Sequence, residues 1–220
     1  MIAAQPRWTA KLVDAVDKVA AALDIKAPHI DRPAICEAIT HPPTQFIRWD
    51  CRSGNAAIDE TGKLRWFDFE YSSKRHGAED IAWLIADEVW PVSPEAMFDI
   101  VGSEFDPGCG HPRAAYMDFL ALFATFQAIQ RVRVVMSEVD RRGWSTQARA
   151  SRYDKVGTHP LLGFRIAMIA AYCADRHPLT RACVRCWWRW RRDFLKLCPK
   201  NSASWQAERQ KNRPTIRAGS

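Results

Sequence analysis

The sequence predicts an α+β domain that is predominantly α-helical, with one small β-hairpin near its start. Three observations carry that expectation. Apolar residues recur at helical spacing before residue 25 and through most of the chain after residue 78. Between them, residues 44–67 hold short apolar runs bounded by turn residues, the pattern of brief strands. No internal repeat and no polar linker divides the 220 residues into two cores, and a hydrophobic content of 47% is enough to fill one.

Taken in order, Leu12, Val16, Val19 and Leu23 mark one face of an amphipathic helix over residues 8–24. The stretch KAPHIDRP, with its two prolines, breaks it and reads as a loop. Thr44–Trp49 is a short strand leading to Asp50. Ala56–Ile58 and Leu64–Phe67 are the arms of a hairpin, and Asp59-Glu60-Thr61-Gly62 is its turn, with Gly62 in the left-handed position. Helices are expected over 78–90, 93–105, 112–140 and 159–175. The third is apolar nearly all round at Tyr116–Phe126 and should lie at the centre of the core. A last helix near 179–197 spaces Cys183, Trp187, Trp190, Phe194 and Leu197 by three or four, with Arg185, Arg189, Arg192 and Lys196 on another face. Residues 1–198 are thus expected to form one domain, and residues 199–220 a basic, disordered tail.

The formal net charge of +7 is concentrated in residues 181–220, which leaves the remainder near neutral. A basic end of this kind is most often a solvated face or tail, though it admits nucleic acid as a partner. Seven cysteines at irregular spacing, a charged N-terminus without a signal-peptide pattern and no apolar run of transmembrane length lead to an expectation of reduced thiols and a cytoplasmic location.

The chemistry-bearing stretch is RWDCRSGN, where Asn55 follows Asp50 by five positions, with Asp68 thirteen residues later at the end of the hairpin. Phosphoryl transfer needs a carboxylate that orients the acceptor hydroxyl, and oxygen ligands for the magnesium that bridges the phosphates. A loop followed by a hairpin can bring three such groups together. The same residues also serve as turn formers and a strand end, and spacing alone leaves both readings open.

With its surroundings, WDCRSGNAAID…LRWFDFEYSSKRHGAEDIAWL resembles the catalytic half of the choline/ethanolamine kinase and aminoglycoside phosphotransferase superfamily, which has the protein-kinase-like fold. The likeness spans residues 44–90, and the DC-x-x-GN and DFEYSS wording leans toward the choline kinase branch. It implies the helical C-terminal catalytic lobe of such a kinase, with Mg2+ as cofactor, ATP as co-substrate and a small hydroxylated acceptor. By position it implies that Asp50 is the catalytic base, that Asn55 and Asp68 are magnesium ligands, that Asp80 braces the catalytic loop, and that Glu70 is the acid of the DFE wording. Arg48 stands where the family carries a His two residues before the base, and Trp49 stands where it carries Gly or Asn. A fixed charge at Arg48 is expected to depress the pKa of Asp50. The residues before Thr44 read as one helix and a proline-rich loop, so the β-rich nucleotide lobe is expected to be absent. That expectation sets a second function beside the enzymatic one, a non-catalytic binding module. A third, nucleic-acid binding through the basic C-terminal helix, would show steep salt dependence.

Other residue groups are read as structural. Cys183-x-x-Cys186 has half of a zinc spacing, but Cys183 continues an apolar stripe. Trp83, Trp90 and Trp144 could cage a substrate cation but suit a core equally well. His76, His111 and His159 sit in Gly/Pro-rich loops and read as turn histidines.

Overall fold

The computed structural model describes residues 6–40, 42–152, 156–184 and 188, and it is α+β and mostly helical. The predicted first helix is two: α1 (Pro6–Val13) and α2 (Ala15–Ala22), separated at Asp14. The apolar stripe runs through both, and this continuity is what made them read as one. The proline-rich loop then ends earlier than its composition suggests. Asp31 accepts a hydrogen bond from the Ala34 amide at 3.1 Å and opens α3 (Arg32–Ile39), with Pro33 in the first turn, where its missing N–H costs nothing. Arg32 ties α3 to the preceding helices through Asp14 (3.1 Å) and Asp17 (2.8 Å).

Strand β1 (Gln45–Ile47) pairs antiparallel with β4 (Ser73–Arg75), in the register Gln45 to Arg75 and Ile47 to Ser73. Between them the hairpin of β2 (Ala56–Ile58) and β3 (Leu64–Trp66) forms with Ala56 opposite Trp66. The expected single hairpin is therefore one of two small sheets. Strand β4 reads Ser-Lys-Arg, and its place in a sheet comes from long-range pairing that no local periodicity announces. The hairpin turn is tied by Asp59, whose carboxylate accepts from the Thr61 hydroxyl (2.6 Å) and amide, the Lys63 amide and Arg65 Nε (2.7 Å). The Thr61 and Arg65 bonds lead in drawing its pKa down to about 2. Gly62 takes φ +79°, which a residue with a Cβ adopts only at a cost.

Helices α4 (Ala78–Ile85), α5 (Pro94–Ser103), α6 (Arg113–Arg142), α7 (Gln147–Arg152) and α8 (Pro160–Asp175) make up the rest, followed by a 3-10 turn at Arg181–Cys183. The short α7 was not anticipated. The core forms where α6 packs on α8, α4 and α2. Phe119, Leu120, Phe123, Phe126 and Ile129 of α6 are all buried, as the all-round apolar pattern predicts. By length and composition α6 could cross a membrane, contrary to the expectation that no apolar run is long enough, yet 72% of its apolar window is buried within the fold. The predicted last helix near 179–197 is described only at 179–184 and 188, and its start is a turn and the 3-10 turn instead of the expected helix; the rest of it and the tail 199–220 lie outside the described residues. Cys183 itself is fully buried, and among the described residues Cys36, Cys51, Cys109 and Cys173 are free thiols.

Candidate functional site

The loop between β1 and β2 is held from below by the start of α4. The carboxylate of Asp80, in the first turn of α4, accepts the Arg48 amide on one oxygen (2.8 Å) and the Trp49 amide on the other (2.9 Å). Burial pushes the pKa of Asp80 upward, against those two amides and the Arg48 charge. From within, Arg48 threads the loop. Its side chain is buried, and its guanidinium donates to the carbonyls of Phe67 (2.5 Å), Asp50 (3.2 Å) and Asn55 (3.4 Å). The guanidinium lies over the rings of Trp66 (4.4 Å) and Phe69 (5.4 Å).

These contacts bring two of the three predicted groups together and set the third beside them. The Asn55 amide nitrogen donates to the Asp50 carbonyl (3.0 Å) and to its carboxylate oxygen (3.2 Å), and Asn55 is buried at the end of a 3-10 turn, Ser53–Asn55. The Phe67 amide donates to the Asn55 carbonyl at 3.1 Å, while the Phe67 carbonyl receives Arg48. Asp68 follows directly, exposed, at the place where the hairpin returns to the loop, and Glu70 is exposed two residues on. The expectation that Arg48 acts on the Asp50 charge meets a different arrangement: Arg48 holds main-chain carbonyls, and the cation on the Asp50 carboxylate is Arg52, whose Nε lies 3.2 Å from Oδ2.

Backbone strain gathers at the same place. Among the described residues four non-glycine residues have φ in the left-handed region, and three of them are Trp49 (+60°), Asp50 (+57°) and Asp68 (+63°). Each costs about 1–3 kcal/mol, more readily borne by Asp than by a bulky Trp, and persists only where surrounding contacts over-determine it. Asp80 and Arg48 provide those contacts. The ring of Trp49 is held in turn by the edge of Trp8 (4.9 Å between centroids), by Trp83 (6.2 Å) and by the guanidinium of Arg75 (4.4 Å).

Arg75 pairs at 2.6 Å with Glu79, a fully buried residue of α4. Burial outweighs that pairing and pushes the Glu79 pKa up to about 7. A carboxyl raised above its unfolded value favours the folded state most while protonated. Its contribution is present below the unfolded value near 4.5 and is lost as pH rises to about 7. The difference in unfolding free energy between wild type and Glu79→Gln should therefore change by on the order of 3 kcal/mol across that window and be flat below it. Urea unfolding at a series of pH values measures this, and a difference independent of pH would show that folding leaves the Glu79 pKa unshifted.

Two features of the site escaped the sequence. Asp87, one residue past Ala86 at the end of α4, accepts both the Ser53 amide (2.9 Å) and the Ser53 hydroxyl (2.5 Å). Its neighbour Glu88 is buried and makes a bidentate pair with Arg131 of α6 (2.7 and 2.8 Å), while also accepting the Gly157 amide (2.7 Å). Burial acts most strongly on Glu88 and raises its pKa, but Arg131 and the Gly157 amide together hold it below the usual value. Helix α4 ends at Ile85, short of the expected residue 90, so Asp87 and Glu88 fall in the turn beyond it, and the only available signal was a second acid pair eight residues after Glu79 and Asp80.

A cavity of about 10 Å3, room for about one water, lies among Arg52, Trp83, Ala86, Asp87, Gln127 and Arg131. A larger groove of about 740 Å3 is lined by residues from the end of α6 to Thr158, including Trp144, and contains none of the candidate residues. Trp83, Trp90 and Trp144 are each partly buried against the core, and Trp90 donates to the Met97 sulfur at 3.4 Å. His76 is buried in a stack with His111 (4.1 Å) and Phe119 (3.8 Å), and its Nδ1 accepts the Ala78 amide at the start of α4. His159 caps α8 in the same way through Leu161.

No protein-family model, curated protein or solved structure matches this chain.

Among the described residues no group of three His, Cys, Asp or Glu side chains is placed to hold a metal. The candidate set is of another kind: the Asp68 carboxylate and the Asn55 carboxamide oxygen, hard donors of the sort magnesium takes alongside water and phosphate.

Proposed function

We propose that residues 44–90 form the catalytic loop region of a protein-kinase-like helical lobe, of the choline kinase and aminoglycoside phosphotransferase kind. Its reaction is the ATP- and magnesium-dependent transfer of a phosphoryl group to a hydroxyl of a small molecule. The observation that carries this reading is the strained loop: Trp49, Asp50 and Asp68 at positive φ, fastened by Asp80 and Arg48 around the Asp50–Asn55 contact. A turn that served only to reverse the chain would not need a buried arginine and a half-buried carboxylate to keep three unfavourable residues in place.

In this reading Asp50 orients the acceptor hydroxyl and takes its proton as the bond to the γ-phosphorus forms and the bond from that phosphorus to the bridging oxygen breaks, ADP leaving. Asn55 fixes the Asp50 carboxylate through its amide nitrogen. Arg52 sets a positive charge beside Asp50, suited to the oxygens of the transferred group. Asn55 and Asp68 would hold magnesium, which neutralises phosphate charge when bound.

Calorimetry of the full chain with ATP and MgCl2 tests the proposal. Wild type should bind in a magnesium-dependent way. Asp68→Ala should abolish that binding and keep the far-UV circular dichroism, whereas Asp50→Ala should retain it. Folded wild-type protein that binds no Mg-ATP would rule out the enzymatic reading. That outcome favours the second reading, a binding module, for which the specific observation is a set of exposed apolar side chains around the site: Phe46, Ile58, Leu64, Phe67, Phe69 and Tyr71.

A further inference from the structure

The structure assigns Asp87 as a second positioning residue of the candidate loop, one that holds Asn55 against Asp50 from the other end of α4. This deepens the phosphotransfer reading and rests on it for its functional consequence, though not for its structural one.

The loop 48–55 is fastened at both ends by carboxylates that flank the same helix. At its start, Asp80 in the first turn of α4 takes the amides of Arg48 and Trp49. At its far end, Asp87, just beyond α4, takes the amide and the hydroxyl of Ser53, both on Oδ2. Ser53 opens the 3-10 turn whose last residue is Asn55, and the Asn55 amide closes that turn on the Arg52 carbonyl at 3.0 Å. Fixing Ser53 therefore fixes where the Asn55 side chain emerges, and with it the two bonds from Asn55 to Asp50.

Asp87 is itself well placed to be rigid. It is buried, its Oδ1 accepts the Val89 amide at 3.2 Å, and the next residue, Glu88, is locked to Arg131 by a bidentate pair. The anchor thus belongs to the α4–α6 core, not to the loop it holds. A charged acceptor buried with two donors from one residue is a strong, directional tether. Helix α4 acts as a rigid bar whose two ends set the spacing between Asp50 and Asn55.

The test is made on the full chain with Asp87→Ala, Asp87→Asn and Ser53→Ala. In Asp87→Ala the Asn55 side-chain NH2 resonances should move toward free-amide positions, and exchange of the Ser53 and Asn55 amides should rise at least tenfold. The Arg48 and Trp49 amides, which depend on Asp80, should keep their protection. Asp87→Asn retains an oxygen that can face Ser53 and should recover most of the Asn55 signature. If Asp87→Ala does not fold, Ser53→Ala should shift the same Asn55 resonances in the same direction by a smaller amount. Where wild type binds Mg-ATP, Asp87→Ala should weaken it about tenfold or more, with partial recovery in Asp87→Asn. Loss of the Asn55 signature in a protein whose wild type binds no Mg-ATP upholds the positioning role and removes the phosphotransfer reading. Unchanged Asn55 resonances and amide protection in Asp87→Ala would overturn the assignment.

Discussion

Replacing Arg48 with Ala should destabilise the fold by about 3–5 kcal/mol, the cost of stranding carbonyl acceptors of a charged donor and emptying the space its side chain fills. The guanidinium is the common partner of the Phe67, Asp50 and Asn55 carbonyls, and it fills the space under Trp66 and Phe69. Its removal strands acceptors, leaves a cavity and frees two left-handed aspartates from the contacts that impose their conformation. Losing that strain returns part of the cost, so the upper end of the range is not expected. For a domain of this size, the melting temperature should fall by roughly 10 °C. Arg48→Lys sharpens the test, because lysine keeps the charge and loses the planar fork and the ring stacking. It should recover less than half of the lost stability in urea unfolding followed by circular dichroism. A lysine variant equal to wild type would mean that charge alone holds the loop.

The Arg48 result also bears on what could be read from the sequence. Its position was legible as a departure, an Arg where the resembling family has a His, but its role was not. An electrostatic effect on Asp50 is the reading that a linear sequence offers, since the two residues are near neighbours. The fold instead turns the side chain inward to carbonyls that arrive from Phe67, nineteen residues away. The same limit explains β4 and Asp87. Ser73–Arg75 carries no strand pattern because its pairing with β1 is a property of the backbone, and Asp87 is polar at the end of an apolar helix for the sake of Ser53, thirty-four residues earlier. By contrast, α4, α5, α6, α8 and the β2–β3 hairpin were legible, since each is specified by its own periodicity or turn. Asp31 shows the intermediate case. Its capping role was present in the sequence, but the proline two residues on drew attention to the break and away from the helix it begins.

Phe123→Ala should have an effect of the same size, about 3–5 kcal/mol, through packing alone. Phe123 is fully buried in the middle of α6, stacked on Phe119 at 5.6 Å and facing Trp8 of α1 at 6.1 Å. Trp8 in turn meets Trp49 edge-on. The core therefore reaches the strained loop through two aromatic rings, and a cavity at Phe123 opens beneath the first of them. Phe123→Leu fills most of that space and should cost less than about 1.5 kcal/mol. The two variants separate general stability from coupling to the loop. If the aromatic series supports Trp49, Phe123→Ala should raise exchange at the Trp49 and Asp50 amides beyond what its global destabilisation accounts for, with Phe123→Leu near wild type. Exchange at those amides that follows global stability in both variants would mean that Asp80 and Arg48 hold the loop without help from α1, and that Trp8 serves only to close the core.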